Sequence, residues 1–270
     1  MIALHARRSA ASIAAWQADH PDRPLVVVLT GTDLYRDIDH SPEAQASIAA
    51  AHRLVVLNDL GCQRLPAPLR PRCQVVLQSC AQRQTQCKTP RHLRVLMVGH
   101  LRDEKDPLTY LHAAERLAGR PDILLDHIGA ALDPALGDAA QALADRQPNY
   151  RWLGGRSHAQ TRRAIQQAHV LVHASRMEGG AHVVIEALRS GTPVVASRID
   201  GNLGLLGGDW GASFAVGDDA ALAALLAQAR DDATMLPALQ AQAALRAPLF
   251  APEAEAAALR QILSPLLITA

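Results

Sequence analysis

Lysine is nearly absent from this 270-residue chain: Lys88 and Lys105 stand among 27 basic residues, and the other 25 are arginine. Where arginine is the default cation, a lysine beside a candidate anion site needs its own account. Aromatic residues make up 3% of the sequence and the net charge is +1, so there are few platforms for stacking bases and no field to steer the chain onto nucleic acid. No nucleic-acid partner is expected. No run of 18 apolar residues occurs, and the N-terminus lacks the basic-then-apolar layout of a signal peptide. Neither membrane insertion nor export is expected, and the default address is cytoplasmic. Four cysteines, Cys62, Cys73, Cys80 and Cys87, are separated by ten, six and six residues, which matches no paired C-x-x-C metal spacing. No metal site is expected, and free thiols in a reducing compartment are the reading.

What is present is an ordinary globular composition, 49% hydrophobic and 20% charged, long enough for one large domain or two smaller ones. Short apolar runs rich in Val, Ile and Leu occur at 2–5, 25–29, 53–57, 74–78, 93–98, 123–128, 170–173 and 193–196. Continuous runs of this kind suit strands buried on both faces. Alanine-rich segments with helical spacing lie between several of them, at 107–118, 138–146, 160–168, 182–189 and 219–229. Strands alternating with helices predict parallel α/β sheets. The polar stretch 79–92 separates two sets of strands and reads as a linker. The expected domains are 1–90, 91–250 and a final helical segment, 251–270, that packs back on the first domain. The chain opens directly on a strand, whereas a doubly wound domain ordinarily has a strand, turn and helix before it, so the first domain is expected to be incomplete at its N-terminus.

The segment 175–198, SRMEGGAHVVIEALRSGTPVVASR, leaves the strand 170–173, turns, and enters a helix closed by Gly191. Ligands of parallel α/β sheets bind at the carboxyl ends of strands, where a helix start offers unpaired N–H groups and a positive dipole end. Gly179 and Gly180 give a ligand close access to that backbone. Glu178 stands at the mouth of the site, suited to accept hydrogen bonds from hydroxyls, and Glu186, about two turns in, is placed for a second diol. The plainer alternative is a favourable charge near a helix start and a solvated helix residue.

A second candidate follows the strand 93–98, in Gly99-His100-Leu101-Arg102-Asp103-Glu104-Lys105. Lys105 is a compact charge for a phosphate and Arg102 a planar fork. The alternative is a surface cluster of ion pairs of small energetic worth. Both candidates lie at strand ends of one sheet, so anion-binding cations face a pair of diol-binding glutamates, a combination that fits a nucleoside diphosphate sugar.

Gly99–Lys105, E-G-G-x5-E and G-T-P-V-V-A-S together resemble the donor half of GT-B glycosyltransferases with the E-x7-E motif, over residues 93–208. The resemblance implies two Rossmann-like domains facing a cleft and a UDP-sugar donor bound without metal or other cofactor. It implies that Glu178 meets hydroxyls of the transferred sugar, that Gly179 and Gly180 approach sugar and phosphate through backbone, and that Glu186 holds the ribose diol. Arg102 and Lys105 would clamp the diphosphate, although His100 stands where that family commonly has arginine.

In the first domain, L-H-A-R-R-S-A and L-T-G-T-D-L-Y-R-D end two successive strands and are expected to face the cleft. His5, Arg7 and Arg8 form a cationic cluster suited to a small anionic acceptor, while Thr30, Gly31 and Thr32 supply hydroxyls and bare backbone beside Asp33. A surface arginine pair and a loop cap are the alternative. With V-G-H-L-R-D-E-K-D-P and the glutamate pair, these segments resemble the selenosugar synthases of selenoneine biosynthesis. That resemblance implies transfer onto selenophosphate from UDP-N-acetylglucosamine with release of UDP, and an acceptor-side role for His5, Arg7, Arg8 and Asp33. A conventional transferase with a hydroxyl acceptor, and a nucleotide-sugar-binding protein without turnover, are the competing readings.

Overall fold

The computed structural model describes residues 1–268. Its strands fall into two wholly parallel sheets. The first takes β1 (Ile2–Leu4), β2 (Val26–Leu29), β3 (Arg53–Val56) and β4 (Cys73–Val75) in the order β1-β2-β3-β4. The second contains β5 (Leu93–Val98), β6 (Ile123–Ile128), β7 (Tyr150–Trp152), β8 (Val170–His173), β9 (Val194–Ser197) and β10 (Ser213–Phe214), in the order β10-β9-β8-β5-β6-β7. The apolar runs anticipated these strands except β7 and β10. Those two are edge strands of three and two residues, too short for an apolar run to show.

Parallel sheets need cover on both faces, and every residue of β8 and β9 is buried. In the first sheet the alternation of side chains assigns each face its partner. Ala3, Val27, Leu29, Leu54 and Val56 pack with Ile13, Leu34 and Ile48. Val26, Val28, Val55, Leu57 and Val76 meet Ile262 and Leu266 from the helix Pro252–Ile268. Residues 76–92 carry no helix or strand and run from one sheet to the other, with Cys80 packed into the core of the second.

The expectation of four free thiols is corrected in one respect. Cys62, on the short helix Gly61–Arg64, is bonded to Cys73 on β4, their Cα atoms 5.8 Å apart. The linear spacing concealed the pair because it arises only when the chain after that helix returns to the sheet edge. Cys80 and Cys87 are free thiols.

The strand order of the second sheet positions the site. From β5 the chain proceeds outward through β6 and β7, then returns to β8 on the other side of β5 and moves away through β9 and β10. The carboxyl ends of β5 and β8 therefore flank the point where the order reverses, and a crevice opens there.

Candidate active site

The β5 end is built as a rigid turn. A Cβ at Gly129, in the loop after β6, would overlap the Gly99 carbonyl, so the two loops pass in backbone contact. His127 supports the same carbonyl, its Nε2 3.3 Å from Gly99 O, and the Tyr150 hydroxyl lies 3.2 Å from its Nδ1. Gly99 O can only accept, so Nε2 carries the proton and Nδ1 receives the Tyr150 O–H. Burial pushes the imidazole down to about 4, which keeps it neutral in this role. Beyond the turn Asp106 takes a left-handed conformation at φ 48° and accepts from Thr109 Oγ1 at 2.7 Å, and Pro107 opens the helix Pro107–Arg116.

Lys105 leaves its neighbours in the chain and donates to Glu178 Oε1, from the β8 side of the crevice. Arg102 does not follow it. That side chain is half-exposed, with Nε 3.8 Å from Glu104 Oε2, so the local ion-pair reading describes Arg102 but not Lys105. A cavity of about 290 Å³ lies at the β5 end, lined by Gly99, His100, Lys105, Gly129, Arg156 and Thr161 among others. His100 thus reaches the cavity wall, while its Nδ1 accepts from Ala130 N at 3.1 Å.

Glu178 is held from below by a buried polar chain. Ser175 Oγ donates to its Oε1 at 3.0 Å, and His173 Nε2 lies 3.6 Å away. His173 Nδ1 faces Asn202 Oδ1 at 2.8 Å, and Asn202 in turn donates to Ser197 O and Ser197 Oγ. Burial pushes His173 down to about 4, so at neutral pH it is uncharged. Burial also works to raise the Glu178 carboxyl, but the charge His173 carries when protonated, the Lys105 charge and the bonds from Lys105 and Ser175 outweigh it and hold it below the usual range. With His173 neutral, the Lys105 ammonium is the lasting partner.

Glu186 is far from a solvated helix residue: its side chain is 2% exposed, a little over one turn into the helix His182–Leu188. His158, His182 and Arg162 surround its carboxylate. Burial would raise this carboxyl, yet the bonds from His182 and His158 and the Arg162 charge leave it lowered.

The glycine pair has a use the sequence did not suggest. A Cβ at Gly179 would overlap the Thr30 carbonyl, and one at Gly180 would sit 2.8 Å from Leu57 Cβ. The bare backbone assigned to a ligand is thus required first by the approach of the two halves of the chain. Asn58 seals that contact, Nδ2 donating to Gly179 O at 2.7 Å and to Tyr35 OH at 3.0 Å. Beside it a second cavity of about 310 Å³ is lined by Tyr35, Arg176, Met177, Glu178 and Asp200 among others. A further depression between the helices Ala10–Asp19 and Pro42–Ala50 is lined by alanines together with Ile13, Gln17, Glu43 and Ser47 and lies apart from these groups.

The first-domain cluster differs from expectation in its charge balance. Asp33 is fully buried, Oδ1 accepting from Thr30 N, Thr30 Oγ1 and Gly31 N and Oδ2 from Ala6 N. Three of these bonds close the loop after β2 on itself and the fourth ties it to the loop after β1, so Asp33 holds the loops rather than meeting an acceptor. Arg7 Nε pairs with Asp37 at 2.9 Å, and His5, at φ 69°, stands within 4 Å of both Asp33 and Asp37. Two aspartates therefore offset the cationic cluster, and Arg8 is exposed with no ion pair among the described residues. His5 Nε2 lies 3.0 Å from Thr32 Oγ1.

Sequence reasoning missed His158, Arg162, Asn58 and Asn202, which enter the site from distant segments, and His173, which ends the strand that leads to Glu178. The signal for His173 was present, since it ends a strand whose neighbours form the site.

Residues 81–246, more than half of the sequence, match the glycosyl transferases group 1 family. The chain belongs to that family. Solved structures with the same fold include pneumococcal O-GlcNAc transferase GtfA, in complex with UDP and GlcNAc, at 15% identity and TM-score 0.78, over 98% of this chain and 57% of that one. A TarM mutant from S. aureus, in complex with UDP among other ligands, aligns at 12% identity and TM-score 0.71, over 88% of this chain and 50% of that one. Sucrose-phosphate synthase from Thermosynechococcus elongatus aligns at 19% and 0.77, over 100% and 74%. The chain spans about half the length of the TarM and GtfA chains it matches. Its architecture is that of GT-B glycosyltransferases, two parallel α/β sheets with a cleft at their carboxyl ends.

Proposed function

We propose that this glycosyltransferase-family chain transfers a sugar from a UDP-sugar held at the β5–β8 crevice. The observation that carries the reading is the Lys105–Glu178 pair, an ammonium and a carboxylate delivered from the two strand ends at which the sheet order reverses. Without substrate the two charges neutralise each other. A nucleoside diphosphate takes up the ammonium, and a sugar hydroxyl donates to the carboxylate so released. Departure of the diphosphate builds negative charge on its oxygens, and a preorganised cation stabilises that charge as it develops. Glu186 is the acceptor for the ribose diol, and the neighbours crystallised with UDP support this class of donor.

The finer reading is selenosugar formation. The selenium of selenophosphate attacks the anomeric carbon of UDP-N-acetylglucosamine, a carbon–selenium bond forms, and the bond to UDP breaks with UDP leaving. The segments around His5, Arg7, Arg8 and Thr30–Thr32 support it. The offset of Arg7 by Asp37 favours a second reading, a hydroxyl acceptor in the same cleft. Incubation with UDP-N-acetylglucosamine and selenophosphate separates the two by mass spectrometry: a selenium-bearing sugar is expected. UDP release only with a hydroxyl acceptor supports the second reading, and UDP binding without release under any condition supports a binding role. In either active case Lys105→Ala is expected to lower kcat/KM by about 100-fold or more. Lys105→Arg restores little, because a planar fork does not replace a point charge. A Lys105→Ala enzyme with wild-type kcat/KM removes the assignment.

A further inference from the structure

Two helix N-termini converge on Glu186. Ser157 caps the helix His158–Gln167 with a reciprocal Ser157–Gln160 box, which places His158 at its first position. His182 opens the helix that carries Glu186 itself, one turn before it. His158 Nε2 lies 2.6 Å, His182 Nδ1 3.4 Å and Arg162 Nη1 3.5 Å from the carboxylate, and all three approach Oε1. Among the described residues no hydrogen bond reaches Oε2. Arg162 is held in turn by Nη2 donating to Ala81 O at 2.8 Å, and its side chain is 4% exposed.

His182 stands between a backbone carbonyl and the carboxylate. Its Nε2 lies 3.2 Å from Ser79 O, a carbonyl that can only accept, while its Nδ1 faces a carboxylate that also only accepts when ionised. The ring is held between Ser79 and Glu186, and its interaction with the Glu186 carboxylate raises the imidazole above its ordinary range against the opposing effect of burial. His158 approaches the same oxygen from solvent, its side chain 75% exposed. Oε1 thus has His158, His182 and Arg162 nitrogens within 3.5 Å, while among the described residues no hydrogen bond reaches Oε2.

We infer that His158 and His182 are positioning residues that pin Oε1 of Glu186 so that Oε2 accepts from the ribose diol of the donor nucleotide. The inference rests on the reading of Glu186 as the ribose acceptor. A buried carboxylate with only Arg162 beside it would be drawn into a fork contact with both oxygens occupied. The two imidazoles hold it away from that arrangement. Discrimination between a ribonucleotide and its 2′-deoxy analogue therefore depends on residues that do not themselves touch the sugar.

The test is calorimetric binding of UDP and of 2′-deoxy-UDP to the whole chain, compared among wild type, Glu186→Gln, His158→Ala and His158→Ala/His182→Ala. Wild type is expected to favour UDP by about tenfold or more, the size of one hydrogen bond to a charged group. Glu186→Gln and the double variant are expected to bring that ratio below about threefold, with the 2′-deoxy-UDP affinity nearly unchanged. The exposed His158 tolerates truncation, so His158→Ala alone decides the matter if the double variant does not fold: its ratio is expected to fall by about half or more. A wild-type ratio retained in the histidine variants while Glu186→Gln abolishes it overturns the positioning role and leaves the ribose reading intact. An equal loss of affinity for both nucleotides in the histidine variants also overturns it, since that is the mark of a merely structural role. A wild type without discrimination, or without affinity for either nucleotide, overturns the ribose reading, and the inference falls with it.

Discussion

At the scale of single residues, the site depends on which side chains keep their charge when buried. His127 and His173 are both pushed down to about 4 by burial from an ordinary 6.5, one supporting the Gly99 turn and the other lying under Glu178. A histidine with a depressed pKa stays neutral in the folded chain while the unfolded chain takes up the proton. Its contribution is complete above pH 6.5 and is lost as pH falls toward about 4. Each of the two is expected to cost up to about 1.4 kcal/mol per pH unit across that window. Urea midpoints at successive pH values check this, and a midpoint that does not move through the window counts against buried neutral rings. The residue types of the site were legible in the sequence: Lys105, Glu178 and Glu186 each stand at a strand end or helix start that the apolar runs define. Most of their partners were not, because His158 and Asn202 come from other segments and reach the site only through the sheet order, whereas His173 ends the strand that leads to Glu178.

At the scale of elements, the strand-to-helix turns are shaped by backbone contacts that local pattern does not encode. Gly129 was not singled out by any motif, yet its missing Cβ is what lets the loop after β6 lie on the Gly99 carbonyl. Gly129→Ala is expected to destabilise the chain by about 3 kcal/mol through overpacking against backbone, and to disturb nucleotide binding together with stability. Denaturant unfolding and UDP calorimetry on the same preparation check both, and an unaltered midpoint would contradict the contact. The helix boundaries were more readable. Pro107 and Pro252 mark starts that follow from capping chemistry, and Gly191, at φ 69°, marks the stop after Leu188, whereas the Ser157 capping box lies ahead of the helical spacing read at 160–168.

At the scale of the whole molecule, the two halves come into backbone contact where Thr30 and Gly31 meet Gly179. Asn58 is the fully buried residue whose amide bridges Gly179 and Tyr35, and Arg246 reaches Asp59 at 2.8 Å beside it. Asn58→Ala leaves the Gly179 carbonyl without that partner. It is expected to cost about 1–3 kcal/mol in stability and to loosen the halves, measured by thermal unfolding and by a larger radius of gyration in small-angle scattering. A radius identical to wild type would show that apolar packing alone holds the closure. The sequence by itself determined the class of fold and the strand ends at which chemistry gathers, because apolar periodicity, caps and stops are local properties of the chain. It also pointed to the glutamates and the lysine, since their spacing is local too. The tertiary structure alone decided that the Gly179–Gly180 backbone lies against the opposite half, that Asp33 and Asp37 offset the arginines of the first domain, and that His158 and Arg162 meet the buried carboxylate of Glu186. These are contacts between segments far apart in the chain, and no spacing within a segment encodes which distant partner will neutralise a charge or fill the space beside a glycine.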